Sequence, residues 1–348
     1  MRSIRVSALG AIACMASSIF LAHCGDPAAG AGDVWYPGVD DGGGGVADSG
    51  AKSGRAGDAG PGKVGGHAGD AGGGGGDDGG DVPADAGQAS DGGGVSPACT
   101  NPGSEDPGPY PQTDFNPQPP YIPDDTLVLT LDDGPDSTVT AQVLDLLAAR
   151  HTKATFFINT ENWGGPLSLV QRMIDEGHEL ANHTVHHHHL GAGGGSDGIA
   201  HETTAAGVES EVAGVETALG TLTHGALTRL TLFRAPFGEP YQSGDATDQA
   251  LVFPIVARHG VAINWNFDTQ DTTTTDPSVV FGNFKNLVKT PGAPGAAWGI
   301  FLMHTVHPQD LAALPMMLDY IQQNHFKLAR VEDVLCWKFG KHSKELVR

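Results

Sequence analysis

The sequence predicts an α/β fold, in which a parallel sheet of short buried strands is wrapped by helices. Short apolar runs alternate with longer segments whose apolar residues fall at helical spacing, the pattern of strand–helix–strand units. The residues able to do chemistry recur just after those runs, at the C-terminal ends of strands, where β/α barrels carry their sites. The stretch before them is dominated by Gly, Ala and Asp and has almost no large apolar residues, so it cannot bury enough surface to offset its ordering entropy.

From the N-terminus, Arg2 and Arg5 precede an apolar stretch from Val6 to Ala22, a secretory signal by length and flanks. It ends in Leu21-Ala22-His23-Cys24, which resembles a lipoprotein box with an unusual histidine before the cysteine. Processing there would leave Cys24 as a lipid-bearing N-terminus that anchors the protein to a membrane; ordinary signal-peptidase cleavage nearby is the alternative. Residues 1–24 are therefore expected to be a signal peptide, 25–98 a disordered linker and 99–348 the catalytic domain. An exported lipoprotein of the bacterial cell envelope, periplasmic or surface-exposed, is the expected setting.

The formal net charge of -22 owes much to Asp residues scattered through the linker and reports solubility more than partner choice. No basic stripe is present, which excludes a nucleic-acid partner, and a monomer is expected. Ala71 to Asp81 resembles Gly/Asp-rich calcium repeats but lacks their fixed nine-residue period. Of the four cysteines, Cys14 lies in the signal and Cys24 at the lipid site, leaving Cys99 and Cys336 at the two ends of the catalytic region. A disulfide joining the domain's termini suits an oxidising compartment; two unpaired thiols are the alternative.

Within the domain, apolar runs at Leu127–Leu131, Ala154–Ile158, Glu179–Asn182, Leu230–Phe233, Val261–Trp265, Gly299–Met303 and Phe326–Leu328 read as strands. Helices are expected at Thr138–Arg150, Leu167–Asp175, Thr204–Leu219, Pro277–Val288 and Leu311–Gln323. Gly191 to Gly198 reads as a flexible loop able to border a substrate groove.

Five runs at strand ends carry candidate chemistry. Thr130-Leu131-Asp132-Asp133-Gly134-Pro135 sets two like charges side by side where a strand breaks, a poor arrangement for stability; the alternative is a capping turn for the next helix. In His183-Thr184-Val185-His186-His187, the four-residue spacing puts His183 and His187 on one face if the segment turns helically, ready to share an ion with a carboxylate. His186, His188 and His189 permit other pairings, and a solvated His-rich loop is the plain alternative. Arg234-Ala235-Pro236-Phe237-Gly238 offers a carboxylate clamp and a tight turn with exposed N–H groups. Trp265 to Asp271 ends in carboxylates and Ile300 to His304 in a histidine; a cap and a buried core histidine are their alternatives.

In this order and spacing the five runs resemble the motifs of the polysaccharide deacetylase family, the NodB-homology domains of carbohydrate esterase family 4, from about Pro123 to Leu335. The resemblance implies a distorted (β/α)7 barrel. It also implies a metal-dependent hydrolase that removes N-acetyl groups from an N-acetylglucosamine polymer: peptidoglycan, a chitin-like chain or an exopolysaccharide. An O-deacetylase such as an acetylxylan esterase, or a non-catalytic glycan-binding barrel, is the alternative. By the resemblance Asp133, His183 and His187 would hold one divalent metal, Zn²⁺ in the first place, with Co²⁺ or Ni²⁺ also suitable. Asp132 would be the base that activates water and His304 the acid. Arg234 would hold Asp132, Asp271 would hydrogen-bond His304, the N–H of Phe237 would stabilise the oxyanion, and Leu302 would line the acetyl pocket. Two positions depart from the family: Thr272 stands where a tryptophan is usual, and Phe237 where tyrosine is frequent.

The residue types also follow from the reaction itself. An amide is a poor electrophile with a poor leaving group, so its hydrolysis needs activated water, a stabilised oxyanion and a proton for the amine. The chain shows no Ser-His-Asp arrangement to prefer over the metal site.

Overall fold

The structure is a computed structural model and describes residues 98–348, apart from 117, 161–166 and 243. The signal segment, Cys24 and the linker up to residue 97 lie outside the described residues.

Strand β1 (Thr126–Asp132) is buried along its whole length and organises the sheet. It pairs with β9 (Gly299–His304) on one side, while on the other β10 (Lys327–Ala329) takes its first half and β2 (Thr155–Ile158) its second. The sheet continues through β3 (Glu179–Asn182), β6 (Leu232–Phe233) and β7 (Val261–Ala262), and beyond β9 it ends at β8 (Phe267–Asp268). Every pairing among the described strands is parallel, so paired strands need crossover connections, and helices supply most of them. These are α1 (Val139–Ala149), α2 (Leu167–Asp175), α3 (Ala205–Leu222), α4 (Ala246–His259), α5 (Pro277–Val288) and α6 (Pro308–Gln323). The C-terminal α7 (Val331–Phe339) and α8 (Ser343–Leu346) complete the chain. The architecture is a curled parallel sheet of the distorted (β/α)7 type.

Side-chain alternation divides the core. Leu127, Leu129 and Leu131 of β1 and Phe301 and Met303 of β9 pack outward with Val143, Leu147, Met317 and Ile321 of the surrounding helices. Val128 of β1 and Ile300 of β9 join Phe157, Ala181 and Ile263 in a second cluster with Val334 and Leu335 of α7. That same inner parity carries Thr130 and Asp132 on β1, and Leu302 and His304 on β9.

One expected strand is split. The run expected as a strand from Val261 to Trp265 pairs only at Val261–Ala262, and the chain then moves to the opposite edge of the sheet as β8. Between them Ile263 N–H donates to Phe233 O at 2.7 Å and Asn266 N–H to Ile300 O at 2.9 Å, so residues 263–266 carry the curl across from β6 to β9. An N-terminal strap covers this seam: Thr113 N–H donates to Ala262 O (3.0 Å), and Asn266 Nδ2 donates to the carbonyls of Asp114 (2.9 Å) and Asn116 (2.6 Å). Those bonds satisfy an edge that would otherwise expose unpaired backbone.

Three helices, α4, α7 and the short α8, lie outside the expected set. In α4 the internal Pro254 masks the pattern, and in α7 the helix directly follows a strand with only Arg330 between. The loop around Gly191–Gly198 is framed by a small parallel pair, β4 (His189–Leu190) and β5 (His201–Glu202). Cys99 and Cys336, the latter on α7, are joined as a disulfide with Cα atoms 5.4 Å apart.

Candidate active site

Successive residues on a strand point to opposite faces, yet Asp132 and Asp133 reach the same place. Asp132 ends β1 on its inner face, and Asp133 has φ 67°, a left-handed conformation that turns its side chain back over the strand end. Gly134 lets this happen, because a Cβ there would lie 2.3 Å from Thr305 Oγ1. The capping alternative is met by a different residue: Asp136 Oδ1 accepts from the N–H groups of Thr138 (2.7 Å) and Val139 (2.6 Å) at the start of α1.

The histidines converge without a helical turn. The segment after β3 is a loop with positive φ at Thr184 (70°) and His187 (57°), and His187 N–H is held by Thr184 Oγ1 at 3.1 Å. His183 Nε2 and His187 Nε2 each lie 3.3 Å from Asp133 Oδ1. His183 Nδ1–H donates to Arg234 O at 2.9 Å, which leaves the Nε2 lone pair facing the carboxylate. Two electron-rich atoms aimed at each other need a proton or a metal cation between them. Ligands bonded at about 2 Å in a tetrahedron stand about 3.3 Å apart. The donor set of Asp133, His183 and His187 therefore fits a borderline divalent ion in both chemistry and spacing.

The electrostatics agree. Burial alone would raise the Asp133 carboxyl, but His187, His183 and His304 outweigh it and hold it well below the usual carboxylate range. Burial pushes His187 down to about 4, keeping it neutral as a ligand must be. For His183 burial also lowers the pKa, yet Asp132 and Asp133 overcome it and raise it; a field that draws a proton to Nε2 draws a metal cation as well.

Arg234 follows β6 and is buried, its side chain 1% exposed. Its Nη1 donates to Asp132 Oδ1 at 2.7 Å and to Thr130 Oγ1 at 2.8 Å, its Nε donates to Ile263 O at 3.0 Å, and its guanidinium lies 4.0 Å from the centre of the Phe157 ring. Asp132 thus has one oxygen engaged and turns the other, Oδ2, toward the site, 3.7 Å from His183 Nε2.

His304 is paired in register with Asp132 across β1 and β9. Its Nδ1 lies 2.9 Å from Asp271 Oδ2, which also accepts the His304 N–H, and its Nε2 points into the site 3.9 Å from Asp133 Oδ2. Burial disfavours the imidazolium, but Asp271 more than compensates, lifting His304 to about 10. Behind Asp271, burial and the Asp271 carboxylate push the Asp310 carboxyl well above the usual carboxylate range.

Phe237 has φ 57° and lies in a single tight turn, Pro236–Gly238, so no preceding turn offers its N–H an acceptor. Its ring stacks on His189 at 4.1 Å and meets His187 edge-on at 4.7 Å. His189 is fixed in turn by Glu239 at 3.0 Å and Asp197 at 3.1 Å. Leu302 is 7% exposed and shares the inner face of β9 with His304. Thr272 is exposed on the turn after Asp271 and forms no aromatic wall. Sequence reasoning assigns no role to Thr130 or Asp310. The signal for Thr130 is period-two alternation, two residues before Asp132 on the inner face, whereas Asp310 sits on α6 and only the fold brings it close. His189, among the histidines whose pairing the sequence leaves open, turns out to support the Phe237 ring.

The sequence pattern of the family described as polysaccharide deacetylase matches residues 121–251, a span ending before Asp271 and His304. A chitin deacetylase from Pestalotiopsis sp. is 35% identical over 195 residues, covering 54% of this chain and 56% of that protein. A chitooligosaccharide deacetylase from Bradyrhizobium sp. is 28% identical over 218 residues, covering 58% and 87%. The chain spans about half the length of the first two curated relatives it matches. Among solved structures, the chitin deacetylase from the fungal pathogen Colletotrichum lindemuthianum shares the fold, with a TM-score of 0.50 at 24% identity over 64% of this chain and 90% of that one. Residues 121–251 therefore match the polysaccharide deacetylase family.

Proposed function

We propose that this domain hydrolyses N-acetyl groups on an N-acetylglucosamine-containing polysaccharide, with Asp132 as base and His304 as acid. One observation carries the reading: the two groups are register partners on adjacent strands, each held by its own charged neighbour, and they face one site around Asp133. A divalent ion held by Asp133, His183 and His187 would supply Lewis acidity to the acyl oxygen and to the attacking water. Asp132 Oδ2 accepts the water's proton, because Arg234 engages Oδ1. The Phe237 N–H donates to the oxyanion as the tetrahedral centre forms. His304 gives its Nε2 proton to the departing amine while Asp271 keeps Nδ1 in place. Leu302 borders the space for the acetyl methyl.

The names of the relatives, chitin and chitooligosaccharide deacetylases, support an N-acetylglucosamine chain. Peptidoglycan fits the same sugar and the envelope setting that the signal segment suggests. Export and lipid anchoring through Cys24 belong to this proposal; Cys24→Ser should move the protein from the membrane fraction to the soluble one. The decisive experiment is acetate release from chitin oligomers, peptidoglycan and acetylxylan, with and without chelator. Chelator-sensitive release from an N-acetylated polymer is expected. Release from acetylxylan alone would make it an O-deacetylase, and no release from any substrate would leave a glycan-binding barrel.

A further inference from the structure

The histidine loop has two sides, and only one is used above. His187 points into the site, whereas His186 and His188 point outward toward α3 and meet its buried Glu211. His186 Nδ1 lies 2.7 Å from Glu211 Oε1, and His188 Nδ1 lies 3.6 Å from the same oxygen and 2.8 Å from Glu202 Oε1. Glu211 also accepts the His186 N–H through Oε2 at 2.8 Å, and its side chain is only 3% exposed. The two imidazoles are stacked, with centres 5.1 Å apart and planes at 23°. Gly207 keeps this corner open, since a Cβ there would meet Glu202 Oε2 at 2.0 Å.

We propose that His186, His188, Glu202 and Glu211 form a second divalent metal site, of the zinc class, on the outer side of the loop that supplies His187. Both rings aim Nδ1 at the same Glu211 oxygen, a convergence of donor atoms that suits a shared ion. A single dication satisfies both nitrogens and both carboxylates together. His186, His188 and Glu211 offer three ligand atoms close enough to share one ion, and Glu202, 2.8 Å from His188 Nδ1, is the candidate for a fourth. The pairs now at 2.7 and 2.8 Å need to open by about 0.5 Å to reach tetrahedral ligand spacing, which the exposed His186 side chain allows for the first and the partly exposed Glu202 side chain for the second. Such an ion ties the loop to α3 and holds the left-handed His187 backbone in place. His189 takes no part, as both of its ring nitrogens face other carboxylates.

The test is metal stoichiometry on the full chain, stripped and then equilibrated with buffered Zn²⁺, with bound zinc counted by elemental mass spectrometry. Wild type is expected to hold two ions per chain. The His186→Ala/His188→Ala double variant should hold one and His187→Ala also one, each losing a different ion. Co²⁺ loaded into His187→Ala should show the intense visible absorption of a tetrahedral site, and Glu211→Gln in that background should abolish it. One ion in wild type overturns the proposal, as do two ions in the double variant, which would place the extra zinc elsewhere. Because wild-type stoichiometry alone can fail, the outcome does not depend on every variant folding, and it does not depend on turnover.

Discussion

In the proposed mechanism a departing amine takes its proton from a group that is still protonated at neutral pH, and His304 beside Asp271 is the candidate. Burial by itself would strip the imidazolium of its proton; the carboxylate at 2.9 Å reverses the balance. Because the folded pKa is raised, the acid is present at neutral pH and is lost as pH climbs toward about 10. Asp271→Asn removes the stabilising charge, so the alkaline limb of the rate profile on an N-acetyl substrate should move to lower pH. On an aryl acetate, whose leaving group needs no proton, the limb should stay where it is. If the two substrates shift together, His304 is not the acid. The base has a separate test: Asp132→Asn nearly preserves shape and should cost roughly 10²- to 10⁴-fold in turnover with bound metal unchanged. Metal content measured beside activity distinguishes this from Asp133→Asn, which should lose the ion as well.

At the scale of the element, the end of β1 concentrates the most sequence information. Apolar alternation and the Gly-Pro stop marked both the strand and its charged terminus. The sequence could not say how adjacent aspartates reach one site, since that depends on the left-handed Asp133 and on the space above Gly134. Gly134→Ala should push against Thr305 Oγ1, tilt the turn, lower metal occupancy and cost about 1–3 kcal/mol in stability. Thr305→Ala in the same chain should restore part of both, read by thermal unfolding and zinc content. The same limit explains the histidine segment. Four-residue spacing suggested a shared helical face, whereas the observed convergence comes from two positive-φ loop residues, a feature no periodicity reports. It also explains Val261 to Asp268, where one apolar run supplies both free edges of the sheet; hydropathy shows burial but not which neighbour a strand chooses.

Across the whole molecule, strand–helix alternation made the parallel sheet legible, while closure of the curl was not, because it rests on side-chain amides. Asn264 and Asn266 look like ordinary loop residues, yet they bond the strap at Thr113, Asp114 and Asn116. The second tie between the chain ends is Cys99–Cys336, which closes a loop with a sequence separation of 237 residues. Cys336→Ser should lower stability by roughly 2–5 kcal/mol, measured by denaturant unfolding, with turnover at low temperature retained. The order of these two ties along the chain has a mechanical consequence. Tension applied at residue 98 enters the domain at Cys99 and passes through the covalent bridge into α7, so residues 111–116 stay slack and the hydrogen bonds that shut the seam carry no load. A pull from the N-terminal side therefore drags the barrel without unzipping it.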